Sequence, residues 1–442
     1  MRDLVRVLSA LILATAVLAA APSAAEDFKT GEMIDKSSWQ KAENLLPPEI
    51  LKHYKEGDYQ NKFVDWPASQ YTWAPDFKAG TDANEGKFAI GDLGTLVDKT
   101  GKRPPYIIGH PFPKIDGGDP DAAVKILWNH FYRTWYFGNL YAESQINWVS
   151  PTALERRADV QVSFAYYDGI PQDELPPSNP ENFLYRQLSL VVGPADLNGT
   201  AALTWRYRDS DKRDQTWAYV PALRRVRATS PANRSDGFLG SDESQDDGPF
   251  FDGKVEDFEW KLAGESDQLR LSEETNLKGE AHARWIDGKG WDTDWPDVPY
   301  IGYMDPNWKG LAWAPTGAAT LSRRRFWIIE GTPRDKYYLY GKIQLYIDKI
   351  TFQGAWSRKF GWKGELLAIH QVMGWNPIAF TRPNGKVDYN QGSNQAYQTI
   401  ENIKLNRATV AGIKSSPRAG FIGRIKFNSS VFDVDALAKS GK

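Results

Sequence analysis

The groups in this chain that carry reactive chemistry are scattered rather than assembled. Five histidines are present, His53, His110, His130, His282 and His370. None lies three or four residues from another and no H-E-x-x-H pattern occurs, so the usual zinc spacings are not met and no metal or other cofactor is expected. Each histidine is read as structural, with His130 filling the inner face of a helix. No G-x-S-x-G elbow presents a serine nucleophile, and Gly240-Ser241-Asp242 is too short to mark one. No glycine-rich phosphate loop follows a strand and opens a helix. With 0 cysteines, thiol nucleophiles, disulfides and lipoprotein acylation drop out as well.

Three charged arrangements remain. Arg224, Arg225 and Arg227 surround Val226, so on a strand Arg225 and Arg227 share one face and Arg224 takes the other. That is either a wetted sheet face or a basic rim meeting phosphate or carboxylate head groups through forked hydrogen bonds. The acidic run Asp242, Glu243, Asp246, Asp247 and Asp252 lacks the spacing of a calcium loop. It is expected to be a solvated loop, ion-paired with the arginine-rich strand beside it at about 0 to 1 kcal/mol per pair. Asp292, Asp294 and Asp297 lie among Trp291, Trp295 and Tyr300. Aromatic platforms with paired carboxylates are what sugar sites use, so a carbohydrate-active enzyme or glycan-binding protein working through region 285–300 is the alternative reading.

The elements that must position these groups can be read from periodicity. Residues 1–25 have the form of a secretory signal peptide: Arg2 and Arg6, an apolar run over 11–21, and Ser23-Ala24-Ala25 before Glu26. Cleavage there removes two Arg and one Asp and moves the formal charge from -2 to -3, which disfavours nucleic-acid binding. An exported chain without cysteine fits a bacterial periplasm. Residues 26–147 read as a helical and loop region packed on a sheet. Pro48 opens a short helix ending at Gly57, and the strongest helix spans 119–138, with Asp119 as N-cap, Pro120 in the first turn and Gly138 as the stop. Its aromatic residues cover so much of the circumference that it should be buried.

Beyond Trp148 the period shortens to two. Strands are expected over 158–167, 184–192, 201–208, 216–220, 224–229, 258–262, 336–348, 351–360, 365–375 and 420–432, with hairpin turns at Asn198-Gly199, Asp287-Gly288 and Asn384-Gly385. Short connections argue for one large antiparallel sheet over 148–442, which must curl or close. A Trp-rich, loop-rich insertion is read over 264–321, and the tail after Phe432 is expected to fray.

The most distinctive stretch is 214–247. It carries Trp217, Tyr219, Pro221, Leu223, Val226 and Arg227, then Phe238, Gly240, Ser241, Asp242 and Asp246. This order and spacing resembles the periplasmic outer-membrane lipoprotein-sorting protein family, the LolA/LolB-like group, in its long Gram-negative branch of unknown function. Gln344 to Lys349 with Trp356 and 361–365 resembles a later hairpin of that family. The resemblance implies an α+β, mainly β fold: a curved antiparallel sheet forming an incomplete barrel, with helices plugging the open side over an apolar cavity. It implies a non-enzymatic carrier or chaperone for a lipid or lipidated protein at or on the way to the outer membrane. Its implied partners are a resistance-nodulation-division (RND) transporter and transient membrane contact. On that reading Trp217, Tyr219 and Leu223 line or brace the cavity, Arg225 and Arg227 meet a head group, and Phe238 to Asp242 form a mobile lip or a structural lock.

Overall fold

The computed structural model describes residues 28–65, 73–273, 283–286, 290–293, 311, 319–374, 378–381, 387–390, 395–413 and 421–440. The expected signal peptide, the turns at Asp287-Gly288 and Asn384-Gly385, and Asp294 and Asp297 lie outside them. One large sheet dominates. Its long strands are β1 (Leu140–Val149), β2 (Leu154–Tyr166), β3 (Phe183–Gly193), β4 (Ala201–Tyr207), β5 (Gln215–Val220), β6 (Arg225–Thr229), β7 (Phe258–Glu273), β8 (Ala319–Pro333), β9 (Lys342–Asp348), β10 (Gly354–Phe360), β11 (Leu366–Gly374), β12 (Gln395–Asn402) and β13 (Arg407–Ile413).

Antiparallel pairing runs in the order β6-β5-β4-β3-β2-β1-β13-β12-β11-β10-β9-β8-β7. The outermost strands, β6 and β7, share no ladder with each other among the described residues. The sheet is therefore a curled, incomplete barrel, and Ser272 of β7 comes back to pair with Gly374 of β11 as it curls.

Alternation assigns the two faces. On β8 and β9, Trp327, Ile329, Leu345 and Ile347 point inward, while Phe326 and Tyr346 point outward. The outer face of this half is covered by α1 (Pro48–Glu56), whose Ile50 and Tyr54 join Trp356, Ile369 and Val410 in one core. The short segment Asn61–Phe63 pairs with Lys62 and Phe63 against Thr320 and Leu321, extending the sheet there. A second helix, α2 (Pro75–Ala83), stacks Phe77 against Trp73.

Inside the curve lies α3 (Ala122–Trp135), of which every residue except Lys125 is buried. It begins later than expected: Asp119 does not cap it, but accepts from the Asp121 N–H at 2.8 Å and pairs with Lys125. Gly138 takes the left-handed conformation expected at its end, with φ of 93°. The C-terminal tail is α4 (Val434–Ser440) rather than a frayed end, with Leu437 fully buried against the outer face of β4 to β6.

The strand reading needs further correction. β1, β8, β12 and β13 were not expected as strands at all, and 336–341, expected to open a strand, belongs to the turn before β9. Within 420–432 only Phe421–Gly423 is strand, followed by a 3-10 turn over Ser429–Phe432. Residues 265–273 and 319–321, read as loop-rich insertion, belong to β7 and β8. A bulge at Gly264 interrupts the alternation, and beyond it Glu265 and Asp267 look like loop but ion-pair with Arg325 and Arg323 across the ladder, at 3.3 and 2.8 Å.

Candidate ligand-binding cavity

After β6 the chain crosses the mouth of the curve. Residues 230–257 pass over the inner face as far as β10, β12 and β13 before returning to start β7 beside β8, so this strap links the two unpaired edges. Its tightest point is at Gly237, where a Cβ atom would lie 1.7 Å from the Ser241 carbonyl oxygen; only glycine permits that approach. The Phe238 N–H donates to the Glu243 carbonyl at 2.7 Å, closing the loop on itself. A capping box follows, in which Ser244 N–H and Oγ both donate to Asp247 Oδ2 at 2.7 Å.

The acidic run anchors this strap, and here the sequence expectation is overturned. Asp242, Asp246, Asp247 and Asp252 are buried, not solvated, and none pairs with Arg224, Arg225 or Arg227. Asp242 Oδ2 instead accepts from Arg407 Nε at 3.0 Å, and its Oδ1 accepts from Asn402 at 2.9 Å. Asp246 accepts from Arg234 Nε at 2.6 Å and from the Tyr338 hydroxyl at 2.9 Å. Asp247 pairs with Lys359, and Asp252 with Arg206 at 3.2 Å. Asp214 completes the cluster, accepting from Arg206 at 2.7 Å and lying 3.1 Å from Arg234. Burial pushes the Asp214 carboxyl up, but the two guanidiniums outweigh it and hold it below the usual range. Sequence distance hid these partners, since Arg206 and Arg407 lie on other strands.

Between the strap and the inner face of β1 to β6 is a cavity of about 510 Å³. Ile146, Val160, Val162, Phe164 and Phe238 give it apolar walls, and the bonded pairs Gln187–Ser189 and Gln245–Thr204 are among the polar groups that share the lining. That size and character is that of a small-molecule site, for which ~300–1,000 Å³ is typical. Glu243 also lines it. One oxygen of its carboxyl accepts from Gln398, while Oε2 is buried without a hydrogen-bond partner. Burial, then the neighbouring Asp247 charge, raise this carboxyl to about 8. From the sequence Glu243 was read only as one member of a solvated acidic run, and Gln398, which no local pattern marks, was not singled out.

The expected site residues divide by strand parity. Thr216, Ala218 and Val220 of β5 line the cavity, so Trp217 and Tyr219 lie on the outer face, packed with Trp205 and the α4 cluster. Register places Arg225 opposite Val220 and Arg227 opposite Ala218, which puts both arginines on the cavity side at the exposed edge strand. Leu223 sits exposed in the β5–β6 turn. Phe238 lines the cavity and Asp242 pins the strap.

The described histidines, His53, His110, His130 and His370, fall into two kinds. Burial holds His110, His130 and His370 low, at about 3, 3 and 4, so all three are neutral. His53, Glu56 and Asp58 come within 4.8 Å of one another, a grouping that invites a metal reading. Both His53 ring nitrogens are already engaged, by Asp58 at 3.0 Å and Glu401 at 2.7 Å. Against the cost of burial these carboxylates raise it to about 9, which makes it an imidazolium. Among the described residues no helix is long and apolar enough to cross a membrane. For the alternative reading, Trp291 and Asp292 fall on a short strand, Gly290–Thr293, while Asp294, Trp295, Asp297 and Tyr300 lie outside the described residues.

The class of architecture is thus a mainly β, incomplete antiparallel barrel holding a buried helix and a strapped cavity. The chain belongs to the family described as protein of unknown function DUF1329, whose profile matches residues 33–289. No curated relative matches it. Similar solved structures include one from Vibrio parahaemolyticus described as an outer membrane lipoprotein-sorting protein domain (14% identity, 71% of this chain and 97% of that one, TM-score 0.44). Others are a DUF1329 family protein from Desulfovibrio piger (16%, 70% and 97%, TM-score 0.43) and a LolA superfamily protein from Nitrosomonas europaea (13%, 71% and 98%, TM-score 0.39).

Proposed function

We propose that this protein is a periplasmic carrier or chaperone that shelters the apolar part of a lipid or lipidated protein on its way to, or at, the outer membrane. The cavity of about 510 Å³ under the strap carries this reading. Aliphatic and aromatic side chains make much of its wall, beside threonines, serines and glutamines, and each CH₂ of a ligand that lies against the apolar part gains about 0.8 kcal/mol by leaving water. Room of this size suits a chain or polycycle, while a folded partner stays outside. No covalent step is required, and the described cavity residues form no nucleophile-base pair.

The reading extends to partners. Arg225 and Arg227, on the cavity side of the edge strand, supply cations for a phosphate or carboxylate head group. Export by the 1–25 segment and exchange with an RND transporter complete the proposal, the latter resting on the family resemblance alone. Organic extraction of the purified soluble protein, followed by mass spectrometry, tests it. A co-purifying lipophile in near-stoichiometric amount is expected; its absence, together with binding of oligosaccharide, would transfer the case to the glycan reading.

A further inference from the structure

Six consecutive turns line one end of the curved sheet: residues 221–224, 194–200, 150–153, 403–406, 361–365 and 334–341, in the order of their strands across it. Four of these turns carry large apolar side chains in water. Leu223 is 53% exposed, Leu405 54%, Trp362 49% and Tyr337 88%, with Ile403 and Leu339 beside them. At the opposite end, among the described turns, only Ile350 is comparable. Single exposed apolar residues need no explanation, but their collection on one rim does, because tips beyond the strands add nothing to the core.

The aromatic part of the rim is held in place. The Trp362 indole N–H donates to the Tyr338 carbonyl at 2.9 Å, so turns 361–365 and 334–341 form one platform. Cations interleave with the apolar tips: Arg224, Arg225 and Arg227 on the first turn and strand, then Lys404, Lys363 and Lys336. No described carboxylate lies in ion-pair range of any of the six, and the acids on the apolar turns are Asp335 and Glu365. A local positive excess therefore stands on a chain whose formal charge is -2. Val220 joins rim to interior, being exposed at the β5–β6 turn while also lining the cavity.

We infer that this rim is a docking face for an anionic phospholipid bilayer, laying the mouth of the cavity against the lipid surface. Trp and Tyr favour the headgroup region, leucine and isoleucine tips enter the acyl boundary, and Lys and Arg meet phosphates. A protein partner is better served by a contiguous apolar patch than by separated tips with cations between them. The inference rests on the carrier reading and adds where the carrier touches its membrane.

Flotation of the full chain with phosphatidylethanolamine vesicles, with and without phosphatidylglycerol, tests this. Binding is expected with phosphatidylglycerol present, weakened by salt, and about tenfold or more lower in the triple variant Arg224→Gln, Arg225→Gln, Arg227→Gln. The double variant Trp362→Ser, Leu405→Ser should also lose flotation while keeping its melting temperature and its uptake of N-phenyl-1-naphthylamine into the cavity. Wild-type protein that floats with neither vesicle, variants that float as well as wild type, or a tip-dependent dimer without vesicle binding would each overturn the docking face. Failure of dye uptake by wild-type protein, with flotation intact, would instead overturn the carrier reading.

Discussion

Asp242 and Arg407, separated by 165 residues in sequence, meet with Arg407 Nε 3.0 Å from Asp242 Oδ2, and this contact ties the strap to the start of β13. Asn402 and Thr409 add bonds to the same residue: Asn402 donates to its carboxylate at 2.9 Å, and its N–H donates to Thr409 Oγ1 at 2.8 Å. Asp242→Ala is expected to lower stability by about 2 kcal/mol, the range of a few charge-assisted hydrogen bonds, and to speed ligand release. Chemical denaturation and a ligand off-rate check both. An unchanged off-rate with the stability loss present would mean that the strap is scaffold rather than closure.

Arg234 is buried among three carboxylates and ion-pairs with Asp214, Asp246 and Asp252. Arg234→Met leaves three buried carboxylates short of a partner and should cost about 3 to 5 kcal/mol. Arg225→Gln with Arg227→Gln, at exposed positions, should stay within about 0.5 kcal/mol of wild type while weakening ligand binding. Comparing urea midpoints with binding separates these classes. If the exposed pair lost as much stability as binding, its head-group role would fail.

These two sets of arginines also show what the sequence made legible. Periodicity located β5 and β6 and the shared face of Arg225 and Arg227, because a strand's alternation is local. It found α3 for the same reason, through apolar spacing closed by Gly138. The partners of Asp242 and Asp246 were not legible, since an aspartate beside arginines in sequence pairs in the fold with Arg407 and Arg234 instead. β8 was missed entirely, since Arg323, Arg324 and Arg325 near its start look like a charged loop; in the sheet they alternate, with Arg324 buried against Asp348 at 2.9 Å. β1 was obscured by the aromatic run ending α3, although Leu140, Ala142, Ser144 and Ile146 keep a strict period of two into the cavity.

Glu243 should make stability fall as pH rises. Its carboxyl is raised from 4.5 to about 8 in the fold, so the folded state favours the protonated form. The contribution is present in full below 4.5 and is lost as pH rises through about 8. Glu243→Gln, a neutral mimic, should flatten the stability profile across that window. Denaturation midpoints across the window decide it, and parallel profiles for the two proteins would remove Glu243 as the titrating group.

His53 acts over a higher range. Asp58 and Glu401 raise it from 6.5 to about 9 despite burial, so its stabilising charge is fully present below 6.5 and is lost as pH climbs through about 9. His53→Gln should be less stable than wild type at about pH 6, with the difference narrowing by about pH 9.5. Melting temperatures at the two pH values check this. A constant difference would show that packing of the ring on Tyr59, at 4.4 Å between centroids, matters and its charge does not.

The cavity itself can be closed without disturbing the sheet. Ala218 faces inward on β5, opposite Ala202, and both line the space. Ala218→Trp sends an indole into an existing void rather than into packed core, so its stability cost should stay below the ~1–3 kcal/mol of core overpacking. Ala228, exposed and opposite Trp217 on the outer face of β6, is the control position. Ala218→Trp should abolish dye uptake and co-purifying lipophile, and Ala228→Trp should keep both. An Ala218→Trp protein that folds and still carries its ligand at wild-type stoichiometry would place the ligand elsewhere, because the walls of this cavity cannot hold both the ring and an acyl chain along the same strands.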